Sequence, residues 1–192
     1  MAGTNTSTGC PSTGGESDVM SMKAVVEWLN GKGTAYTTKD GDETVDATWS
    51  TGDSAMIGVS YVGTLPTGVA TTGVEGLKTI VPIVAISDWY DYYRENGLVV
   101  NPGGYPGEDA DNLGMYIAGQ QRSLTTCAEH FAQMTIDQDR VSGDYNEFWD
   151  ERNYLDKVED IEASVFVVHG RNDWNVKPNH YGYWWQQLTR HD

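Results

Sequence analysis

The sequence predicts an α/β protein, a mostly parallel sheet flanked by helices, and three observations predict it. The runs 55–59, 79–86 and 164–169 are apolar at nearly every position, without the polar alternation of a strand that has one wet face. Stretches with helical spacing or small-residue composition separate them, which points to a parallel, doubly wound sheet. With 192 residues and 39% apolar content, the chain is long enough for one domain with a sizeable core.

Residues 1–17 are rich in Gly, Ser and Thr and read as loop. Val19, Met22, Val26 and Leu29 then recur at three- and four-residue steps, predicting a helix over 19–30 with Asp18 as N-cap and Gly31 as its stop. Residues 31–54 are turn-rich and lead into the first strand at 55–59. The small and apolar stretch 65–72 suits a helix lying close on a sheet. The second strand, 79–86, contains Pro82, which removes one ladder donor. About 75 residues dense in Tyr, Asp, Asn and Gly follow, helical near 110–135 and 145–158. They read as a cap over the carboxyl ends of the strands, where ligands bind in α/β folds. Ser164 to His169 form a third strand, and Tyr181, Trp184, Trp185 and Leu188 mark a last helix. The expected organisation is thus core at 1–88, helical cap at 89–160, and core again at 161–192.

Composition narrows the function. A balance of 28 Asp+Glu against 12 Lys+Arg gives a net charge of −16, which repels phosphate backbones and anionic lipid, so no nucleic acid or membrane partner is expected. The acidity fits either a high-salt setting or a cationic substrate. No stretch reaches the roughly 20 apolar residues of a membrane span, and no signal-peptide pattern opens the chain. Cys10 and Cys127 have neither CxxC spacing nor paired histidines, which argues against a zinc site or a disulfide and makes a reducing, cytoplasmic setting the expectation.

The candidate chemistry begins at Gly58-Val59-Ser60-Tyr61-Val62-Gly63. A serine nucleophile on a sharp strand-to-helix turn needs glycines that tolerate strained backbone and keep side chains off the helix. The second glycine stands one place later than in G-x-S-x-G, but an apolar strand precedes the serine and a small-residue helix follows it. Asp173, four residues beyond the strand ending at His169, suits a triad acid, and its place after Ser60 agrees with the order Ser, Asp, His.

Four separated segments resemble the X-prolyl dipeptidyl peptidase family of serine peptidases. They are the serine turn with Thr64, Gly9-Cys10-Pro11-Ser12-Thr13-Gly14-Gly15, Ser87-Asp88-Trp89-Tyr90-Asp91-Tyr92-Tyr93-Arg94, and His169-Gly170-Arg171-Asn172-Asp173-Trp174-Asn175-Val176. Relatives with cocaine-esterase-like or amino-ester-hydrolase activity match the serine turn and less of the rest. The resemblance implies an α/β-hydrolase fold and release of X-Pro dipeptides from peptide N-termini through an acyl-enzyme. It implies no metal or organic cofactor and leaves a homodimer open to the intact enzyme.

It also implies roles for particular residues. Ser60 is the nucleophile, Asp173 the acid, and the Tyr61 N–H an oxyanion donor. Glu108 anchors the substrate's amino terminus with Asn175 as its amide helper, and Trp89 and Trp174 wall the proline. In the resembled family the histidine lies about thirty residues beyond the acid, whereas this chain has nineteen residues after Asp173. The expectation is therefore an internal fragment lacking strands at both ends and inactive by itself, with His130, His169, His180 and His191 as structural or surface residues and His191 the least bad substitute for the base. The rival functions are an amino-acid ester or acyl hydrolase, and a truncated chain that only binds.

Overall fold

The computed structural model describes residues 1–100 and 109–191. In chain order it places α1 (Glu16–Leu29), β1 (Ser54–Val59), α2 (Tyr61–Ala70), β2 (Leu77–Ile83) and α3 (Trp89–Tyr93). A small hairpin of β3 (Arg94–Glu95) and β4 (Leu98–Val99) follows, then α4 (Ala110–Ala118), α5 (Gln120–Leu124), α6 (Ala128–Asp137) and α7 (Glu147–Asp150). A 3-10 helix (Leu155–Asp160) leads to β5 (Ser164–Val165) and α8 (Asn179–His191).

The main sheet is parallel in the order β1-β2-β5, with Val59 paired to Ile83 and a further parallel bridge from Ile83 to Val168. β2 ends at Ile83, three residues short of the expected end, because Val84 turns to φ +53°. Pro82 keeps its place inside the strand because its carbonyl still accepts from the Val168 N–H at 3.1 Å. The sheet's two faces differ. Ile80 is fully buried on the side where α2 and α8 lie, whereas Ile57, Val59 and Phe166 on the other side are 67%, 57% and 66% exposed. Within the described residues, the helices on the sheet cover one face only.

α2 can lie close to the sheet and to α1 because its residues are small. A Cβ on its Gly68 would come within 2.8 Å of the Val19 side chain and 3.1 Å of the Tyr154 ring. Helix α1 begins earlier than its periodicity indicates, with Gly15 as N-cap, so Asp18 is not the cap. It sits in the first turn with 0% exposure and accepts from the Ser12 N–H at 3.1 Å and the Tyr61 hydroxyl at 2.7 Å.

The expectation of unpaired cysteines is also corrected: Cys10 and Cys127 form a disulfide across 117 residues of sequence. Spacing along the chain could not reveal it, because the fold brings the first loop against α6. The ground for expecting a reducing compartment goes with it, since disulfides persist mainly in oxidising ones. Arg122 adds bonds to the carbonyls of Ser7 and Asn5, and a His130 ring nitrogen donates to the Pro11 carbonyl at 2.9 Å. Among the described residues no helix is long and apolar enough to cross a membrane.

Candidate active site

Ser60 stands between the last residue of β1 and the first of α2, with φ +59° and ψ −128°. That is a costly conformation for a residue with a Cβ, about 1–3 kcal/mol, and it persists only where surroundings over-determine it. Here they do. The Ser60 N–H donates to the Ile83 carbonyl at 2.8 Å, and its own carbonyl accepts from the N–H groups of Gly63 and Thr64 at 2.9 and 2.8 Å. A Cβ on Gly58 would lie 2.3 Å from the Val62 oxygen, and one on Gly63 would lie 2.6 Å from the Gly58 oxygen and 2.8 Å from that of Ile83. The late second glycine is thereby explained: position 63 is where helix backbone meets strand backbone, while the Val62 side chain points out at 60% exposure.

Ser60 itself is exposed at the carboxyl edge of the sheet. The N–H of Tyr61, at the first position of α2, belongs to those a helix leaves unpaired and turns toward negative charge. The Tyr61 ring points inward, its hydroxyl donating to Asp18 and accepting from the Gly14 N–H at 3.1 Å. Burial, then the Asp18 charge, pushes its pKa well above the usual phenol value, so it stays a donor. The loop beneath is pinned by two more residues, the second of them held in turn by Trp89. Arg152 donates to the carbonyls of Ser12 and Thr13 at 2.8 and 3.1 Å, the Tyr154 hydroxyl to that of Gly14 at 2.6 Å, and Trp89 Nε1 to the Tyr154 hydroxyl at 3.2 Å. Asp18, Arg152 and Tyr154 were missed by sequence reasoning, because nothing in their spacing marks them as one network.

Asp173 follows the strand neighbouring β2 on its other side. Val59, Ile83 and Val168 lie abreast, so both Ser60 and the loop holding Asp173 emerge at the same sheet edge, with the strands that precede them two spacings, roughly 10 Å, apart. Asp173 Oδ1 accepts from the N–H groups of Asn175 and Val176, both at 2.9 Å, and the Asn175 Oδ1 accepts from the Tyr92 hydroxyl at 2.8 Å. Burial raises the Tyr92 pKa to about 12. Trp174 is 69% exposed at the same loop.

The other candidates fare differently. Trp89 is 0% exposed, stacked on Tyr93 with centroids 6.1 Å apart and edge-on to Tyr61 at 5.5 Å, so it has no face left for a ligand and serves as packing beneath the turn. Glu108 lies outside the described residues. Its chain neighbour Asp109 is fully buried in a two-point ion pair with Arg94, at 3.0 and 2.9 Å. His180 is 1% exposed, His130 is bound to Pro11, and a His169 nitrogen donates to the Val176 carbonyl at 2.8 Å. A hollow of about 620 Å³ lined by Asp137, Asp139, Glu147 and Glu151 holds carboxylates but no nucleophile.

A parallel sheet with a serine on a strained strand-to-helix turn defines an α/β-hydrolase type of fold. Solved structures agree on the fold: a CocE/NonD family hydrolase from Staphylococcus aureus and an α-amino acid ester hydrolase each match 99% of this chain and 34% of their own, with TM-score 0.53 and 16% identity. The family model described as X-Pro dipeptidyl-peptidase (S15 family) matches residues 1–192, and the chain belongs to that family. A putative Xaa-Pro dipeptidyl-peptidase of Bacillus anthracis is 53% identical over 97% of this chain and 31% of its own length. An Xaa-Pro dipeptidyl-peptidase of Ligilactobacillus salivarius is 51% identical over 91% of this chain and 23% of its own. The chain therefore spans a third or less of the length of these relatives.

Proposed function

We propose that this chain carries the nucleophile and the acid of a serine peptidase that removes X-Pro dipeptides from peptide N-termini. Family membership supports the reading, and the observation that carries it is Ser60 held at φ +59° on a turn closed by two glycines. In the reaction, Ser60 Oγ bonds to the carbonyl carbon after proline while its proton passes to an imidazole. The Tyr61 N–H stabilises the oxyanion. Collapse of the tetrahedral intermediate expels the amine, which takes the proton back, and water then releases the dipeptide by the same steps reversed in role.

Asp173 Oδ2 orients the imidazole, since both loop N–H groups occupy Oδ1. The imidazole is neither His130, His169 nor His180 in this reading, which their commitments support, and comes from His191 or from outside residues 1–192. Glu108 and the free lone pair of Asn175 Oδ1 receive the substrate ammonium, Trp174 shelters the proline ring, and segment 89–160 forms the cap. The partner is a peptide with a free N-terminus and proline second, and a homodimer is the assembly we would test first.

The test uses the intact protein with Ala-Pro and Gly-Pro anilides against simple acyl esters. Dipeptide release that vanishes in Ser60→Ala is expected; ester turnover without dipeptide release would overturn the substrate assignment. Glu108→Gln should weaken peptide turnover far more than ester turnover, and equal losses would remove its role.

A further inference from the structure

A small cavity lies between α2, β2, the strand running on from β5, and α8. Thr67, Pro82, Val167, His169, His180 and Trp184 are among its walls, and it leaves about 10 Å³ for the centre of one water-sized molecule. That is close to the least volume that can hold a water. Thr67 and His180 are 1% exposed and Trp184 is 3% exposed. Four polar atoms on these walls, Thr67 Oγ1, His169 Nδ1, His180 Nε2 and Trp184 Nε1, are buried without a hydrogen-bond partner among the described residues. Native interiors avoid leaving so many polar groups orphaned in one place.

The remaining bonds of the two rings decide which of these atoms donate. His180 Nδ1 accepts from the Ser87 backbone N–H at 3.5 Å, while the Ser87 hydroxyl donates to the His180 carbonyl at 3.0 Å. Burial lowers the His180 pKa to about 3, so the ring is neutral and its proton sits on Nε2. His169 donates through Nε2 to the Val176 carbonyl, so in the tautomer this bond selects the Nδ1 lone pair is left bare. Trp184 Nε1 can only donate, and the Thr67 hydroxyl can do either.

Two donors and two acceptors therefore line one space. A cation would meet the two N–H groups and an anion the bare lone pairs, whereas a water matches all four. We propose that this cavity is a built site for a single structural water, which accepts from His180 Nε2 and Trp184 Nε1 and donates to His169 Nδ1 and Thr67 Oγ1. The water would bridge the helix that starts at Ser60, the segment leading to Asp173, and α8. The candidate nucleophile and acid would then share one buried tie that does not depend on the substrate.

A crystal structure of the intact protein, at a resolution that shows ordered solvent, should place a water within hydrogen-bonding distance of these four atoms. A cavity without density, or side chains rotated to pair with one another, would overturn the site. Thr67→Val, equal in shape, gives an independent answer. With a water present it deletes a partner and lowers the urea midpoint; in a dry cavity it removes an orphaned hydroxyl and raises it. An unchanged or raised midpoint sinks the proposal.

Discussion

Ser60 and Asp173 both follow parallel strands, yet backbone holds the first, while the second is held largely by side chains. At Ser60 the N–H and C=O make three main-chain bonds, and two close backbone approaches exclude any side chain at Gly58 and Gly63. The loop of Asp173 has one main-chain bond at that residue, from its N–H to the Gly170 carbonyl, and is otherwise shaped by its own carboxylate. Tyr92 through Asn175, and a His169 nitrogen on the Val176 carbonyl, complete the support. A nucleophile set in main chain tolerates changes around it. An acid that also organises its loop does not.

The sharpest test of that difference is Asp173→Asn. The amide oxygen can still accept both loop N–H groups, so thermal unfolding should stay near wild type, while kcat of the intact protein should fall about 10⁴-fold through loss of imidazole orientation. Undiminished turnover would remove Asp173 from the acid role. Next in size is Cys10→Ser with Cys127→Ser, opening a tie across 117 residues. Calorimetry should show a loss of about 5 kcal/mol on the loop-entropy account. Turnover measured below the melting point should change little if the serine turn holds itself; a large loss of kcat would break the comparison.

Tyr61→Phe probes the serine side from beneath. It leaves Asp18 and the Gly14 N–H each short of a partner, and denaturant titration should register about 1–3 kcal/mol. A pH-dependent effect concerns Asp88, the cap of α3, which carries Tyr92 on the acid side. Burial, then the charge of Asp91, raises its pKa from 3.8 to about 7. The folded state therefore holds this proton more tightly than the unfolded chain, and stability contributed here is present below about pH 4 and declines as pH rises toward 7. Asp88→Asn should flatten that slope, worth at most about 1.4 kcal/mol per pH unit, in melts across the range.

The strands and the serine turn were legible because their causes are local: apolar runs, small residues, glycines beside a serine. The displaced second glycine looked like a defect in the motif until the Gly58 and Ile83 oxygens showed what it avoids. Asp18 read as a cap because it preceded the periodic residues, but the bond that fixes its role comes from Tyr61, 43 residues on. Cys10 and Cys127 were illegible for the same reason on a longer scale. Trp89 matched a family position, yet one residue's type says nothing of whether its ring reaches the surface.

The bare side of the sheet has a consequence for handling the polypeptide. Ile57, Val59 and Phe166 form an oily strip along strands whose outer edge has no neighbouring strand among the described residues, an arrangement prone to sticking edge to edge. A net charge of −16 keeps such molecules apart in dilute buffer, and added salt weakens that repulsion within a few ångströms of the surface. Produced alone, these 192 residues should scatter more light as sodium chloride rises, the opposite of a protein whose carboxylates merely crowd a sealed exterior.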